Sequence, residues 1–534
     1  MSIACGLEHT VALAADGKLW GWGSNEFEQL AVRRRLIVPP IFFLHSRQVP
    51  NPKFSRDIRK QPEPIHVPQT KNPFSFVAAG HYHSLAIAQD SGRKDILWSW
   101  GQNANGQCGH GKKSPAAQVP MHATFKLRLC CNLASQPRSV NLDSVHYVAA
   151  GQNFTMALTR EGRLWAFGCG ANGLLGTGSA FDVCEPEWVG RSPTSPLHGK
   201  FVDMVACGRG HTLCVCQKEV YAWGANDQGQ LGVGNFFDCP VPKLATALSG
   251  NQVDGIACGY AHTVVLTQRL VYSFGLGSSG QLGHSNVKSY TVPRLINSIT
   301  ADFRAHQVCC GPEYTVIASD YGDLLFFGNL RSKGKISTPK ITCVPICFTG
   351  LDRVFALAAG AHEVSAIRIL STYPAIKPVP DFLKNNSARS DVKDSLFLQQ
   401  RVGKMGRAHV FGSFEHGRLG ITRTSTAPAQ RVPIIVATGG LNKIPLLKVS
   451  CGKNFTVVLD VKGLIWSWGG NKFGQLGLGH KKEGAIKLAP PALSYSTEEP
   501  CPLHYSRSRP APNLHFPSFF SALFCMRNAT VTVT

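Results

Sequence analysis

Eight times along the chain a small residue paired with glycine is answered, further on, by an aromatic residue paired with glycine. The first pairs are Cys5-Gly6, Ala79-Gly80, Ala150-Gly151, Cys207-Gly208, Cys258-Gly259, Cys310-Gly311, Ala359-Gly360 and Cys451-Gly452. The answering pairs are Trp22-Gly23, Trp100-Gly101, Phe167-Gly168, Trp223-Gly224, Phe274-Gly275, Phe327-Gly328, Phe411-Gly412 and Trp468-Gly469. The two glycines of a copy lie 16 to 21 residues apart, except in the seventh copy, where they are 52 apart. Such a recurrence marks one supersecondary unit used repeatedly. A unit of this size cannot bury both its faces alone, so copies must stack, and the recurrence constrains the chain as a whole.

The fourth copy is the cleanest. Val205–Cys216 and Val220–Gly224 are rich in strand-favouring residues and are separated by a short polar break. A glycine-rich turn through Gln230-Leu231-Gly232 and a proline-bearing return, Cys239–Leu244, complete roughly one four-stranded sheet. Composition agrees with many short strands and tight turns: 53 glycines and 33 prolines accompany only 16% charged residues. The fold class predicted is all-β, a β-propeller, with repeats over 1–489 and an irregular tail over 490–534. No apolar run approaches the roughly 20 residues that span a bilayer. The N-terminus enters the first copy directly, so the expectation is a protein of the cytoplasm, the nucleus or both, without a signal peptide.

The repeat also disposes of most residues that would otherwise attract chemical interpretation. Cys5, Cys207, Cys258, Cys310 and Cys451 share one slot with alanines, so that slot wants a small apolar side chain rather than a sulfur bond or a metal. His9, His83, His211 and His262 stand three residues after their glycines, where other copies carry Phe154, Tyr314, Glu363 and Phe455. Replacement of histidine by phenylalanine and tyrosine points to a packed ring and away from acid–base or metal chemistry. Gly106 to Lys113 nearly fits a phosphate-binding loop, but Lys113 stands where Ser or Thr is required. No motif for bond-making catalysis is present, and no metal or cofactor is expected.

These residues resemble the regulator-of-chromosome-condensation repeat, as in Val264–Gly275 and Gly474–Gly477. The shortest distances between successive first glycines, 49 to 52 residues, match that family's unit of about 50. Kelch doublets do not recur, and no tryptophan precedes an aspartate, which disfavours WD40 repeats. The resemblance implies a ring of seven blades, so one of the eight copies is surplus or degenerate. Copy six lacks the Gln-Leu-Gly element, and copy seven is split by an insertion.

Formal net charge is +23, and about +18 of it falls in four stretches outside the repeat signatures: 31–73, 110–144, 370–408 and 480–534. The first holds Arg33, Arg34 and Arg35 beside the apolar run from Leu36 to Leu44. Such a segment suits nucleic acid, an acidic protein or an anionic surface, and is equally compatible with a solvated loop. The tail carries an apolar run, Phe516–Cys525, that is too short to span a membrane and is expected to dock on the propeller or to be irregular.

Three functions follow from the resemblance. The first is a monomeric protein-interaction scaffold. The second is guanine-nucleotide exchange on a small GTPase, to which the family's founder contributes loop residues just after the first glycine, acidic ones among them. Here those pairs hold Glu8, Arg209, Glu313 and Lys453, with only the two glutamates acidic, which departs from the founder. The third is chromatin binding through the basic insertions. A plant-type ultraviolet receptor is disfavoured, because the Gly-Trp-Arg-His-Thr motif of the family's light sensors is missing.

Overall fold

The computed structural model describes residues 1–31, 60–66, 73–89, 95–111, 113, 134–140, 142, 144–268, 270–321, 323–329, 342–348, 354–359, 363–369, 406–413, 415–421, 429–481 and 487–488. Among them every repeat copy builds its own four-stranded antiparallel sheet, eight sheets in all. In the first sheet β1 (Ser2–Cys5), β2 (His9–Leu13), β3 (Leu19–Ser24) and β4 (Lys60–His66) pair in sequence order. The first strands of successive sheets are neighbours, and the first strand of the eighth sheet, Leu446–Cys451, returns to β1. That junction is bonded: Cys5 N–H donates to Ser450 Oγ at 3.1 Å, and Lys453 N–H donates to the Leu7 carbonyl at 3.3 Å. The all-β propeller reading holds. The seven units implied by the resemblance correspond here to eight sheets, because the degraded sixth copy and the split seventh each assemble four strands.

The insertions contribute to those sheets. β4 lies within the 31–73 stretch, and Ala134–Ser139, the outer strand of the second sheet, lies within 110–144. An outer strand needs only one bonded neighbour, so it tolerates long connections before it. Arg33, Arg34, Arg35, most of 370–408 and the tail beyond Leu488 lie outside the described residues.

The signature glycines have local causes. A Cβ on Gly6, Gly80, Gly208 or Gly259 would collide with the imidazole three residues on, and one on Gly151, Gly311 or Gly452 with the corresponding Phe or Tyr ring. The glycine therefore makes the pocket that the ring fills. The glycine after each aromatic, such as Gly224 at φ 102°, sits in the left-handed half of conformational space, where the register of the third and outer strands shifts.

Between sheets runs a buried polar seam. In the glycine turn, Asn226 Oδ1 accepts from Leu231 N–H at 3.0 Å, and Gln230 Oε1 accepts from Gln228 N–H at 2.8 Å. The turn pinned in this way aims the Gln230 carbonyl at the next sheet, where Thr263 donates its hydroxyl at 2.8 Å. His211 Nε2 lies 3.0 Å from the same hydroxyl. Equivalent sets link His9, Ser84 and Gln29; His83, Thr155 and Gln107; and His262, Thr315 and Gln281. Indoles join in: Trp22 Nε1 donates to the Gln475 carbonyl at 2.9 Å, Trp100 to Gln29 at 3.0 Å, and Trp223 to Leu174 at 3.0 Å. Each hydroxyl gives its single proton to a carbonyl, so the histidine must donate from Nε2. Nδ1 is then left as a buried acceptor without a polar partner. Burial holds all four histidines neutral, with pKa values pushed down to about 3.

Apolar packing closes the boundaries. Trp22, Trp100, Trp223 and Trp468 are fully buried, as are Phe154, Phe167, Phe274, Phe327 and Phe455. Cys5, Cys207, Cys258, Cys310 and Cys451 are all unexposed free thiols. Burial pushes the Cys5 thiol up to about 12, so these sulfurs act as small hydrophobes.

Three outcomes are expected. His211→Ala opens a cavity and should lower stability by about 2–4 kcal/mol, whereas His211→Phe, the ring found in the third and eighth copies, should cost below about 1.5 kcal/mol. Equal losses on chemical denaturation would contradict the packed-ring reading. Unfolded histidines take up protons below the ordinary value of 6.5, while the folded ones stay neutral to about 3. Their contribution is thus complete above pH 6.5 and lost as pH falls toward 3, by about 1.4 kcal/mol per pH unit for each histidine. The His211→Phe/His262→Phe double variant should flatten the pH dependence of stability near pH 5 by about two protons, and an unchanged slope would refute burial as the cause. The two-residue turn after Cys216 places Gln217 and Lys218 at φ 52° and 72°. Lys218→Gly should therefore stabilise the chain by about 1 kcal/mol, and a loss of stability would show that the Lys218 side chain offsets the backbone strain.

Candidate partner-binding face

In each sheet the first-to-second strand turn and the third-to-outer strand loop lie at the same end. His211 pairs with Gly224 and Gly224 with Cys239, so residues 208–210 and 225–238 emerge together. The same register in the other sheets gathers these segments on one face of the ring. Here the backbone must be held without a continuing ladder. Ser24, Ala225 and Leu276 N–H donate to the carbonyls of Glu8, Gly210 and Ala261. Neighbouring turns are also tied to one another, Leu7 N–H to the His81 carbonyl at 3.2 Å and Arg209 N–H to the Gly259 carbonyl at 3.4 Å.

All four described residues singled out from the sequence stand on this face, in three separate groups rather than one constellation. Glu8 and Lys453 face each other across the junction of the eighth and first sheets, with Nζ 4.0 Å from Oε1. Arg209 lies 5.2 Å above the ring of Tyr260, on the next sheet. Glu313 accepts a hydrogen bond from Ser279 at 3.0 Å across the boundary of the fifth and sixth sheets. Ion pairs of this kind at a surface contribute about 1 kcal/mol or less, so their residues can exchange partners at little cost.

Sequence reasoning passed over the aromatics. The rings of Phe27 and Tyr82 lie 4.9 Å apart, and His81 meets Tyr82 edge-on at 6.0 Å. Phe27, Tyr82 and Tyr260 are half-buried, each leaving part of a ring at the surface. The available signal was position: each falls in a turn where the pattern demands only glycine, asparagine and glutamine.

Chemically, the face can present charge, ring surface and hydrogen-bonding backbone. The near-phosphate loop is occupied otherwise: Lys113 pairs with Asp182 at 2.9 Å, and Gly111 N–H bonds the Cys184 carbonyl at 2.8 Å. Among the described residues no group of three or more His, Cys, Asp or Glu side chains is arranged to hold a metal ion. No helix among them is long and apolar enough to cross a membrane.

Comparison with known proteins agrees with this architecture. The RCC1-like domain family model matches residues 1–366, and the regulator of chromosome condensation (RCC1) repeat matches 447–475 and 462–506. The ultraviolet-B receptor UVR8 of Arabidopsis thaliana is 26% identical over 422 residues, covering 78% of this chain and 82% of that protein. Human Protein RCC2 is 29% identical over 366 residues, covering 61% of this chain and 64% of RCC2. Among solved structures, human WBSCR16 aligns with a TM-score of 0.52 at 21% identity, over 81% of this chain and 97% of its own. Prp20p of Saccharomyces cerevisiae aligns with a TM-score of 0.51 at 17% identity, over 75% and 87%. At these identities the solved structures speak for the fold alone. With its repeats, its sheets and a family model spanning residues 1–366 of 534, the chain belongs to the RCC1-like domain family.

Proposed function

We propose that the chain is a propeller interaction protein that engages a protein partner through the face bearing Glu8, Arg209, Glu313 and Lys453. The observation that supports this most is the division of labour within the repeat. Seam residues are consumed by buried bonds between sheets, whereas the turns of one face display half-buried rings and exchangeable charges. A rigid ring carrying variable loops is a binding scaffold before it is anything else.

A second reading is guanine-nucleotide exchange on a small GTPase. It is supported by acidic Glu8 and Glu313 in the turns after the first glycine, and by a fold neighbour, Prp20p, described with its binding to Gsp1p and histones. Exchange requires no bond-making group from the propeller, only loops that stabilise the nucleotide-free GTPase. Chromatin binding through Arg33, Arg34 and Arg35 is a third possibility, and a cytoplasmic or nuclear setting suits all three.

The full chain should be challenged with nucleotide-free small GTPases and, separately, with nucleosome core particles. A partner held by the turn face should lose about tenfold or more in affinity when Glu8, Arg209 and Lys453 are replaced together by alanine. Retention of a GTPase with accelerated nucleotide release establishes exchange, and retention without release leaves an adaptor. Nucleosome binding that survives the turn variant but collapses with Arg33→Ala/Arg34→Ala/Arg35→Ala, with steep salt dependence, moves the function to the insertion and overturns the turn-face reading. Failure to retain any probe overturns it as well.

A further inference from the structure

Three phenylalanines stand almost bare at the same end of adjacent sheets: Phe181 is 83% exposed, Phe236 57% and Phe237 79%. They occupy the third-to-outer strand loops of the third and fourth sheets, and Val287, 49% exposed, holds the matching loop of the fifth. These loops lean on their neighbours. Gly178 N–H donates to the Pro240 carbonyl and Gly234 N–H to the Thr291 carbonyl, each stitching a loop to the outer strand of the next sheet. The same contacts bring Gly178 beside Val241 and Gly234 beside Val292, both exposed. The apolar groups thus form a continuous stripe across three sheets rather than isolated side chains.

Scattered exposed hydrophobic residues need no explanation, but a run of them at equivalent positions does. No seam or core bond requires these rings, and their burial against a partner would be a net gain of apolar contact. The polar groups around the stripe are unequal in sign. Its carboxylates are engaged internally: Asp182 with Asn105, Lys113 and Gly170 N–H; Asp238 with Asn172 and Asn226 N–H; Asp227 with Gln230. Lys243, Lys288 and Arg294, on the fourth and fifth sheets, are exposed. Positive charge is therefore what the border offers to a partner. The outer strands themselves cannot extend a sheet readily, since Pro240, Pro242 and Pro293 remove backbone donors from them. Recognition must run through side chains.

We infer that the stripe formed by Phe181, Phe236, Phe237, Val241, Val287 and Val292 is the apolar anchor site for a protein partner whose contacting segment is both apolar and acidic. It rests on the interaction reading above and deepens it. The stripe lies on the face that carries Arg209 and Tyr260, so one partner can reach inward from the phenylalanines to the turns. Three exposed cations contribute about 1 kcal/mol each toward an anionic bilayer, too few for stable anchoring, whereas apolar anchors with a charged border suit a protein contact.

The probe is a short peptide alternating Glu with Leu and Phe, compared with its Lys-for-Glu counterpart by fluorescence anisotropy on the full chain. The acidic peptide should bind, and should lose about tenfold or more in affinity with Phe181→Ser/Phe236→Ser/Phe237→Ser and severalfold with Lys243→Glu/Lys288→Glu. Circular dichroism and thermal melting of the serine variant should match the unaltered chain, because no core contact is removed. Equal binding of the two peptides, no binding of the acidic one, or indifference to the serine variant overturns the inference. Co-sedimentation with phosphatidylserine vesicles that is lost in the serine variant assigns the stripe to a membrane instead, and a dimer lost in that variant assigns it to a second copy. A GTPase or other partner that depends on Glu8, Arg209 and Lys453 but not on the phenylalanines leaves the interaction reading intact and removes this one alone.

Discussion

A single buried carbonyl per sheet boundary governs this structure. Where sheets stack face to face, apolar packing supplies most of the favourable free energy but little registration, because one apolar face fits another in many ways. The Gln230 carbonyl, removed from water and pointed at the next sheet, has one low-energy solution: the Thr263 hydroxyl, backed by the His211 ring. Leaving such a group unmet costs roughly 1–3 kcal/mol, so the wrong stagger of two sheets is penalised at every boundary. The same element recurs where the ring closes, with Gln475 of the eighth sheet accepting from Trp22 of the first. Closure in turn removes the free inner edge that an open stack would expose.

The seam also decides where function can reside. Histidines held neutral and fully buried cannot serve acid–base chemistry near neutral pH, and thiols with raised pKa values are poor nucleophiles. Groups that would look catalytic in another setting are spent on architecture. What remains variable is the loops, and they are rigidly presented because each is tied to its neighbour by backbone bonds such as those of Gly178 and Gly234. A face assembled from such loops is preorganised, which lowers the entropic penalty of docking.

Much of this was readable in the chain. The glycine–ring spacing, the Cys/Ala slot and the Gln-Leu-Gly turn each reflect a steric or hydrogen-bonding demand that repeats, so repetition exposes them. Closure is different. Copy six lacks the turn after Gly328, yet Thr342–Phe348 still completes its sheet, because pairing needs only an extended segment of suitable length nearby. Sheet number is therefore a property of the ring and not of any one copy. The outer strand Lys60–His66 was hidden for a related reason: with a long insertion before it and a composition of Lys, Gln, Pro and Glu, it carries no strand pattern of its own and is defined by its partner β3. The turn residues Glu8, Arg209, Glu313 and Lys453 were locatable by offset, whereas their grouping into pairs depends on which sheets are adjacent. Exposure of Phe181, Phe236 and Phe237 was the least legible, since a phenylalanine in sequence reads as core until the fold shows it has none to join.

The account stands most directly on energetic coupling across the seam, which a double-mutant cycle between His211 and Thr263 measures. His211→Phe, Thr263→Val and the double variant, unfolded by denaturant, should show a coupling of about 1 kcal/mol between side chains on different sheets. A coupling indistinguishable from zero would mean that the hydrogen bonds merely accompany apolar stacking, and that the buried carbonyl does not set the register of the ring.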